Sequence, residues 1–263
     1  SVNGGATDSA KTTAVTGNRD SININSSYAV MDSGWKRQYD KYNDKYDRIY
    51  RVLNGYGKAD DPSSFQYQVW GCAPIGPALQ QEFPQVESVF RFTSPSPWLI
   101  STGDKKFQEE NIVFADSTAF DVFSWRLLKG NPEMALVRPN TVVLTEKLAN
   151  KYFGKENPVG QTVMMDNAEP FEVTGVMENI PANSHFTFDA MISMSTFHNR
   201  REGIFSSWGY VDFYTYFTIK PEADIHGITA QIPLVVDKYV GNAKSYYNFQ
   251  IEPLSEAYLY SNA

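Results

Sequence analysis

The 263-residue sequence predicts an α+β fold in two subdomains, on three grounds. Both ends of the chain read as strand, helix, strand. The middle, residues 94–180, carries hairpins and short capped helices of its own. Apolar residues also change spacing between the elements, from every second residue in candidate strands to every third or fourth in candidate helices.

In chain order, residues 1–34 are rich in Ser, Thr, Asn, Gly and Ala and read as an arm or linker, with SININ and SYAVM as its only strand-like pieces. YDKYNDKYDRIYRVL follows. Tyr39, Tyr42, Tyr46, Ile49, Tyr50 and Leu53 recur at helical spacing, and RIYRVL also alternates as a strand does. The expectation is a charged helix over 39–47 that passes directly into a strand over 48–53, with neither Gly nor Pro at 44–50. NGYGKADDPSS reads as a loop and FQYQVW as a short strand. Pro74 and Pro77 suit the first turn of a helix with Ile75, Leu79 and Phe83 on its inward stripe, which Pro84 stops before strand SVFRF.

In the middle, WLIST and NIVFAD flank a turn at Gly103 and Asp104, a hairpin pattern. STAFDVFSWRLLKG reads as a short helix capped by Asp116 or Ser117 and closed by Gly130. After strand NTVVL, Thr145 caps helix EKLANKYF and Gly154 ends it. GQTVMMD and PFEVTGVM pair around DNAEP. The tail has strand HFTFDAMISM, strand VDFYTYFTIK, a helix capped by Asp224 and kinked at Pro233, and strand YYNFQIEPL. The expected division is residues 35–93 with 181–263 as one βαβ subdomain, and 94–180 inserted as a smaller α+β subdomain.

A formal charge of −7 gives no general reason to approach nucleic acid. Cys72 is the one cysteine, so an internal disulfide is excluded and no cysteine cluster can hold zinc or iron–sulfur. No segment approaches the roughly 18 apolar residues of a membrane span. His185, His198 and His226 lack metal-ligand spacing; His185 is expected to order a loop before a strand. Gly55 and Gly57 begin an incomplete GxGxxG, and no GxxxxGK[ST] or G-x-S-x-G occurs. The carboxylate pairs Glu109–Glu110 and Asp60–Asp61 lie in solvated, turn-like sequence, where a general acid is not readily made. No catalytic, cofactor-binding or metal-binding residue is assigned.

DKYNDKYDRIYRV resembles the segment just outside the first membrane helix of MacB/FtsX-like ABC transporter permeases, in the form common in Bacteroidetes-type bacteria. APIGPALQQEFPQVESVFRF, ADSTAFDVFSWRLLKGNPEMAL, RPNTVVLTEKLANKYFGKENPVGQTV, FEVTGVMENIPANSHFTFD and IEPLSEAYLYS are similar to successive blocks of that family in the same order, covering about residues 36–263. Asn43 stands where the family often has His, and Tyr46 where a small residue is frequent.

The resemblance implies a two-subdomain MacB-like periplasmic domain, porter-like at the chain ends and sabre-like in the insertion. It implies a place on the periplasmic face of the bacterial inner membrane, anchored by helices outside these residues. Its implied role is non-catalytic: transmission of ATP-driven motion to periplasmic cargo or a partner, in efflux, lipoprotein or peptide export, or mechanotransmission. Implied partners are a cytoplasmic ATPase, a second permease copy and a periplasmic or outer-membrane protein, with no nucleic acid. The expected transmission element holds Tyr42, Tyr46, Arg48, Ile49, Tyr50 and Arg51. Two alternatives stand beside it: a periplasmic ligand-binding module using the cleft between subdomains, with Trp98 or Trp208 as stacking surfaces, and an envelope hydrolase using His185 and Glu146.

Overall fold

From Tyr46 the chain makes one 3-10 turn (Tyr46–Arg48) and enters β1 (Ile49–Lys58), β2 (Asp61–Gln68), β3 (Trp70–Cys72), α1 (Ile75–Glu82) and β4 (Val86–Thr93). This is a computed structural model, and it describes residues 39–58, 60–241 and 246–257; the expectations for the arm 1–34 lie outside them. The predicted loop at Asn54–Gly57 is instead strand, because β2 folds back on it. An added Cβ at Gly55 would meet Tyr67 Cε1 at 2.5 Å, and one at Gly57 the Phe65 ring and backbone at 2.7 Å. Glycine lets both rings lie flat over the strand.

The middle of the chain supplies β5 (Ser96–Thr102), β6 (Lys105–Ala115), α2 (Ala119–Val122), β7 (Leu127–Gly130), β8 (Thr141–Thr145), α3 (Glu146–Phe153), β9 (Thr162–Met165), β10 (Glu169–Met177), β11 (Ala190–Ser193) and α4 (Met194–Arg200). Following the pairings β11–β8–β10–β9–β5–β6 returns to β11, so six strands close into a ring with no free edge among them. Its inside is apolar: Ile100, Ile112, Val142, Leu144, Val163, Met165, Phe171, Val173 and Ile192 are buried together, with Leu148 and Tyr152 of α3 and Phe197 of α4 packed on them. Local chemistry sets several pieces. Thr145 Oγ1 accepts from the Leu148 N–H at 3.4 Å to start α3, and Gly154 ends it at φ +62. Asp166 (φ +49) and Asn167 (φ +63) make the left-handed turn between β9 and β10.

Two expectations in this region fail. Leu127–Gly130 is a strand on β10, not the end of a helix. Gly130, at φ +102 with Thr174 O where a Cβ would sit, makes that pairing possible. HFTFDAMISM gives strand only at Ala190–Ser193, which joins the ring between β6 and β8, and Met194 opens α4.

The chain ends with β12 (Val211–Ile219), α5 (Ile225–Thr229), α6 (Ile232–Val240) and β13 (Tyr247–Pro253). Pro233 sits in the first turn of α6 and separates it from α5, so the expected single kinked helix is two. β1 is antiparallel to β12 and β13, and β12 antiparallel to β4, giving the order β4-β12-β1-β13. β1 and β4 are therefore parallel with α1 between them in sequence, as are β12 and β13 with α5 and α6 between. Two split βαβ units interleave, as in ferredoxin-like sheets. Both ends of the chain contribute to this sheet, whereas β11, within the expected 181–263 segment, belongs to the ring. One face of this sheet lies under the helices, with Val52, Leu79, Val86, Phe217, Val235 and Phe249 buried together. The other face holds an aromatic cluster: Phe90, Phe92, Phe123, Trp125, Phe188 and Tyr216. Sheet and ring share one ladder pair, Phe92 opposite Ala115, and the aromatic cluster continues from the sheet onto Val113, Val143, Met177 and Met191 of the ring.

Candidate functional site

The expected helix at 39–47 does not form. Asp40 takes φ +58, residues 41–45 turn, and only Tyr46–Arg48 is helical, as a single 3-10 turn. The reason is chemical. Asp and Asn side chains compete with helix hydrogen bonds by bonding nearby or distant backbone, and Asp and Asn tolerate left-handed φ. Here Asn43 Nδ2 donates to Asp40 O at 2.8 Å, and Asn43 Oδ1 accepts from the Ser124 N–H at 3.0 Å. The Asp44 N–H donates to Ser124 Oγ at 2.8 Å. Asp40 N–H donates to Asn183 O at 2.9 Å. Tertiary bonds thus override the tyrosine periodicity, which sequence alone presented as a helix face.

The predicted transmission residues all fall on this strapped segment and the strand it leads into. Tyr42 packs on the aromatic cluster, and its hydroxyl donates to Ser184 Oγ at 3.1 Å while accepting from Trp125 Nε1 at 3.2 Å. Burial pushes the Tyr42 phenol above its ordinary value. Tyr46 packs on the same cluster. Arg48 Nη1 bonds Glu87 at 3.0 Å and Ile219 O at 2.6 Å. Ile49 and Tyr50 point to opposite faces of the sheet, Ile49 to the aromatic cluster and Tyr50 to the helical side. Lys45 adds bonds to Glu87 and to Asp121 O. Burial would raise the Glu87 carboxyl, but the hydrogen bonds from Lys45 and Arg48 outweigh it and hold the pKa below the usual carboxylate value.

Arg51 is a second buried charge beside this segment. It is 5% exposed, and its Nε donates to Glu252 Oε2 at 2.6 Å, with Glu252 4% exposed. Its Nη2 donates to Ala257 O at 2.9 Å. Arg51 stands opposite Tyr216 on one side and Glu252 on the other, so one guanidinium ties β1 to β12 and to the last described turn.

Residues beyond the six named for transmission complete the chain of contacts. Asp40 has no exposed surface; its Oδ2 is 2.7 Å from His185 Nδ1, and its Oδ1 accepts from Ser184 Oγ at 3.2 Å. His185 Nε2 is 2.6 Å from the Tyr216 hydroxyl. A carboxylate can only accept, so the proton between them sits on Nδ1, and Nε2 meets the Tyr216 hydroxyl. Complete burial pushes the Tyr216 phenol well above its ordinary range, keeping that hydroxyl protonated. His185 therefore orders the loop before β11, as expected. Asp40 and Ser184 were missed; the signal available was two helix-averse residues, Asp40 and Asn43, inside a supposed helix.

The arrangement holds elements together. Among the described residues no group of three His, Cys, Asp or Glu side chains could hold a metal. Glu146 and His185 lie on separate elements, one at the start of α3 and the other in the Asp40 contact. The two proposed stacking tryptophans are also apart: Trp98 packs edge-on against Phe114 and Phe171 in the ring's cluster, and Trp208 stacks on Tyr239 beside the helices.

Comparison with known proteins agrees with this architecture. The family model of the MacB-like periplasmic core domain matches residues 27–234. The macrolide export ATP-binding/permease protein MacB of Aggregatibacter actinomycetemcomitans is 35% identical over 107 residues, which are 38% of this chain and 16% of that protein. The chain thus aligns with a small part of that relative's length. Among solved structures, a domain of a putative permease from Porphyromonas gingivalis superposes with a TM-score of 0.66 at 18% identity, covering 80% of this chain and 91% of that one. The periplasmic region of MacB from Actinobacillus actinomycetemcomitans gives 0.57 at 19% identity, covering 84% and 92%. The extracellular domain of the ABC-type transporter YknZ from Gram-positive bacteria gives 0.51 at 15%, covering 77% and 99%. These likenesses establish the fold. By the match across residues 27–234, the chain belongs to the MacB-like periplasmic core domain family of ABC transporter permeases.

Proposed function

We propose that this domain transmits motion from the membrane part of an ABC permease to the periplasm, using the strapped segment 39–48 and β1 as the input. The observation that carries this reading is the continuous set of side-chain bonds from Asp40 through His185 and Tyr216 to the Arg51–Glu252 pair. Bonds of this kind are directional and short, and they link the first described residues to β12 and to the last described turn. A pull on the segment would then move the sheet without first stretching a flexible joint, which is what coupling between rigid bodies requires. The rigidity comes from tertiary bonding in place of a helical rod.

In this reading a cytoplasmic ATPase drives the motion, a second permease copy completes the transporter, and cargo or a periplasmic or outer-membrane partner meets the ring. The ring suits that contact because it is closed on itself and can move as one body. The domain does no chemistry of its own, and its place is the periplasmic face of the inner membrane. The test is Asp40→Ala in the full-length permease with its ATPase. Basal ATP hydrolysis should persist while export, or another ATP-driven output, falls at least tenfold. Unimpaired output from a normally folded variant would remove the segment from the mechanism.

A further inference from the structure

Strand edges in this molecule are treated unequally, and β2 is the exception. In an antiparallel pair, alternate residues turn their backbone groups toward the partner and the rest turn away. The Leu254 N–H donates to Ile49 O at 2.9 Å and the Gly57 N–H to Tyr246 O at 3.0 Å, so odd-numbered residues of β1 spend their backbone groups on β13. Even-numbered ones face β2, where Asn54 stands opposite Gln68 and Tyr56 opposite Gln66. Gln66 and Gln68 therefore bond β1, and the backbone N–H and C=O of Phe65 and Tyr67 point away from it. Those outward groups take no partner among the described residues.

Other edges are covered or blunted. On β4, the Asp116 N–H donates to Arg91 O at 2.9 Å, Asp116 Oδ2 accepts from the Arg91 N–H at 2.9 Å, and Thr118 Oγ1 donates to Val89 O. On β13, Asn248 Oδ1 takes the outward Phe249 N–H at 2.9 Å, and Pro253 has no N–H to offer. β7 is four residues long and carries Lys129. Side-chain cover, proline, lysine and shortness are the usual means of keeping an edge from pairing. Past Asp61 and Pro62 at its tip, β2 has none of them: SSFQYQVW, residues 63–70, contains no charge, proline or glycine.

We propose that β2 receives an extended, uncharged segment of a partner polypeptide as an added strand. An extended backbone presents donors and acceptors at the spacing that Phe65 and Tyr67 offer. A neutral edge on a chain of net charge −7 favours a neutral segment. Phe65 and Tyr67 stack at 6.2 Å on one face and exposed Gln66 lies on the other, so apolar residues of the incoming strand belong beside the rings and polar ones beside Gln66. The inference goes beyond the transmission reading and does not depend on it, since it rests on the pairing of β2 and not on segment 39–48.

The test is amide hydrogen exchange on the whole chain, alone and with the probe peptide N-acetyl-Ser-Val-Thr-Phe-Thr-Val-Ser-amide. In the free chain the Phe65 and Tyr67 amides should exchange fast and those of Gln66 and Gln68 slowly. The probe should slow Phe65 and Tyr67, whereas a version N-methylated at every residue should not. Phe65→Pro removes one outward N–H and should weaken probe binding about tenfold, while Phe65→Ala keeps that N–H and should weaken it less. Fast Gln68 exchange in Phe65→Pro would mean that the hairpin has opened, and the N-methylated probe then decides alone. Phe65 and Tyr67 already protected in the free chain, no protection by the probe, equal protection by its N-methylated version, or protection that grows with protein concentration alone would each overturn the proposal, the last by giving the edge to a second copy.

Discussion

The ring and the end-built sheet hold themselves together by different means. The ring closes all six of its edges and fills its inside with apolar side chains; among the buried residues its one carboxylate is Glu109, which accepts from Tyr152 and Lys151 at 2.6 Å each. The sheet is apolar under its helices, but its other face buries Asp40, Arg51, Glu252 and Thr218 among aromatic rings. An apolar interior is non-directional and adapts to modest shifts. A chain of buried polar bonds does not, because a half-broken one leaves an uncompensated charge. The difference teaches which part of the molecule absorbs a small displacement and which part is broken by one.

The most damaging change should be on the polar side. Arg51→Ala strands Glu252 with its charge buried, which typically costs about 3–5 kcal/mol. Urea unfolding should show that loss, and the paired change Arg51→Met with Glu252→Leu should recover most of it. If the pair recovers nothing, packing and not charge is what the site provides. Within the ring, Leu144→Ala leaves a cavity worth about 2–5 kcal/mol. Hydrogen exchange should report it as faster exchange in β8 and β10, with β1 and β13 still protected. Equal loss of protection in both sheets would mean that ring and sheet unfold as one, and the contrast drawn here would fail.

The smallest effect concerns Glu87. Its folded-state pKa is depressed, so its contribution is present above the unfolded value near ~4.3 and disappears as pH falls through the folded value. Pairs this exposed contribute about 0–1 kcal/mol each. Glu87→Gln should therefore lower the melting temperature slightly at pH 7, and by less as the pH falls below the unfolded value. A larger penalty in acid than at neutrality would reverse the sign and exclude the ion pair as the cause.

Sequence legibility followed the same divide. Helix α3 could be read residue by residue because Thr145 and Gly154 terminate it locally. The same holds for the β9–β10 turn at Asp166 and Asn167 and for the Asp224 cap, whose Oδ1 accepts from the His226 N–H at 2.9 Å. Segment 39–48 could not be read that way: its conformation is fixed by Ser124, Asn183 and His185, which are remote in sequence, and its own poor helix formers Asp40 and Asn43 do not say which partners take them. Ring closure was equally hidden, since it depends on β11 pairing parallel to β6. The six residues named for transmission lie together because a strand and its approach necessarily do. Of the residues that fix that approach, His185 was legible as a loop-ordering residue, whereas Asp40 and Asn43 showed only as poor helix formers until their partners Asn183 and Ser124 were seen.

The central claim is that segment 39–48 and the sheet move as one body. Spin labels at the exposed positions Lys41 and Gln250, introduced into the full-length permease, measure this directly, and buried Cys72 is shielded from labelling. The Lys41–Gln250 distance should stay constant between nucleotide-free and ATP-bound states while the distance between the two copies' Lys41 labels changes. A Lys41–Gln250 distance that shifts with nucleotide would show a hinge within the strapped segment and contradict the account.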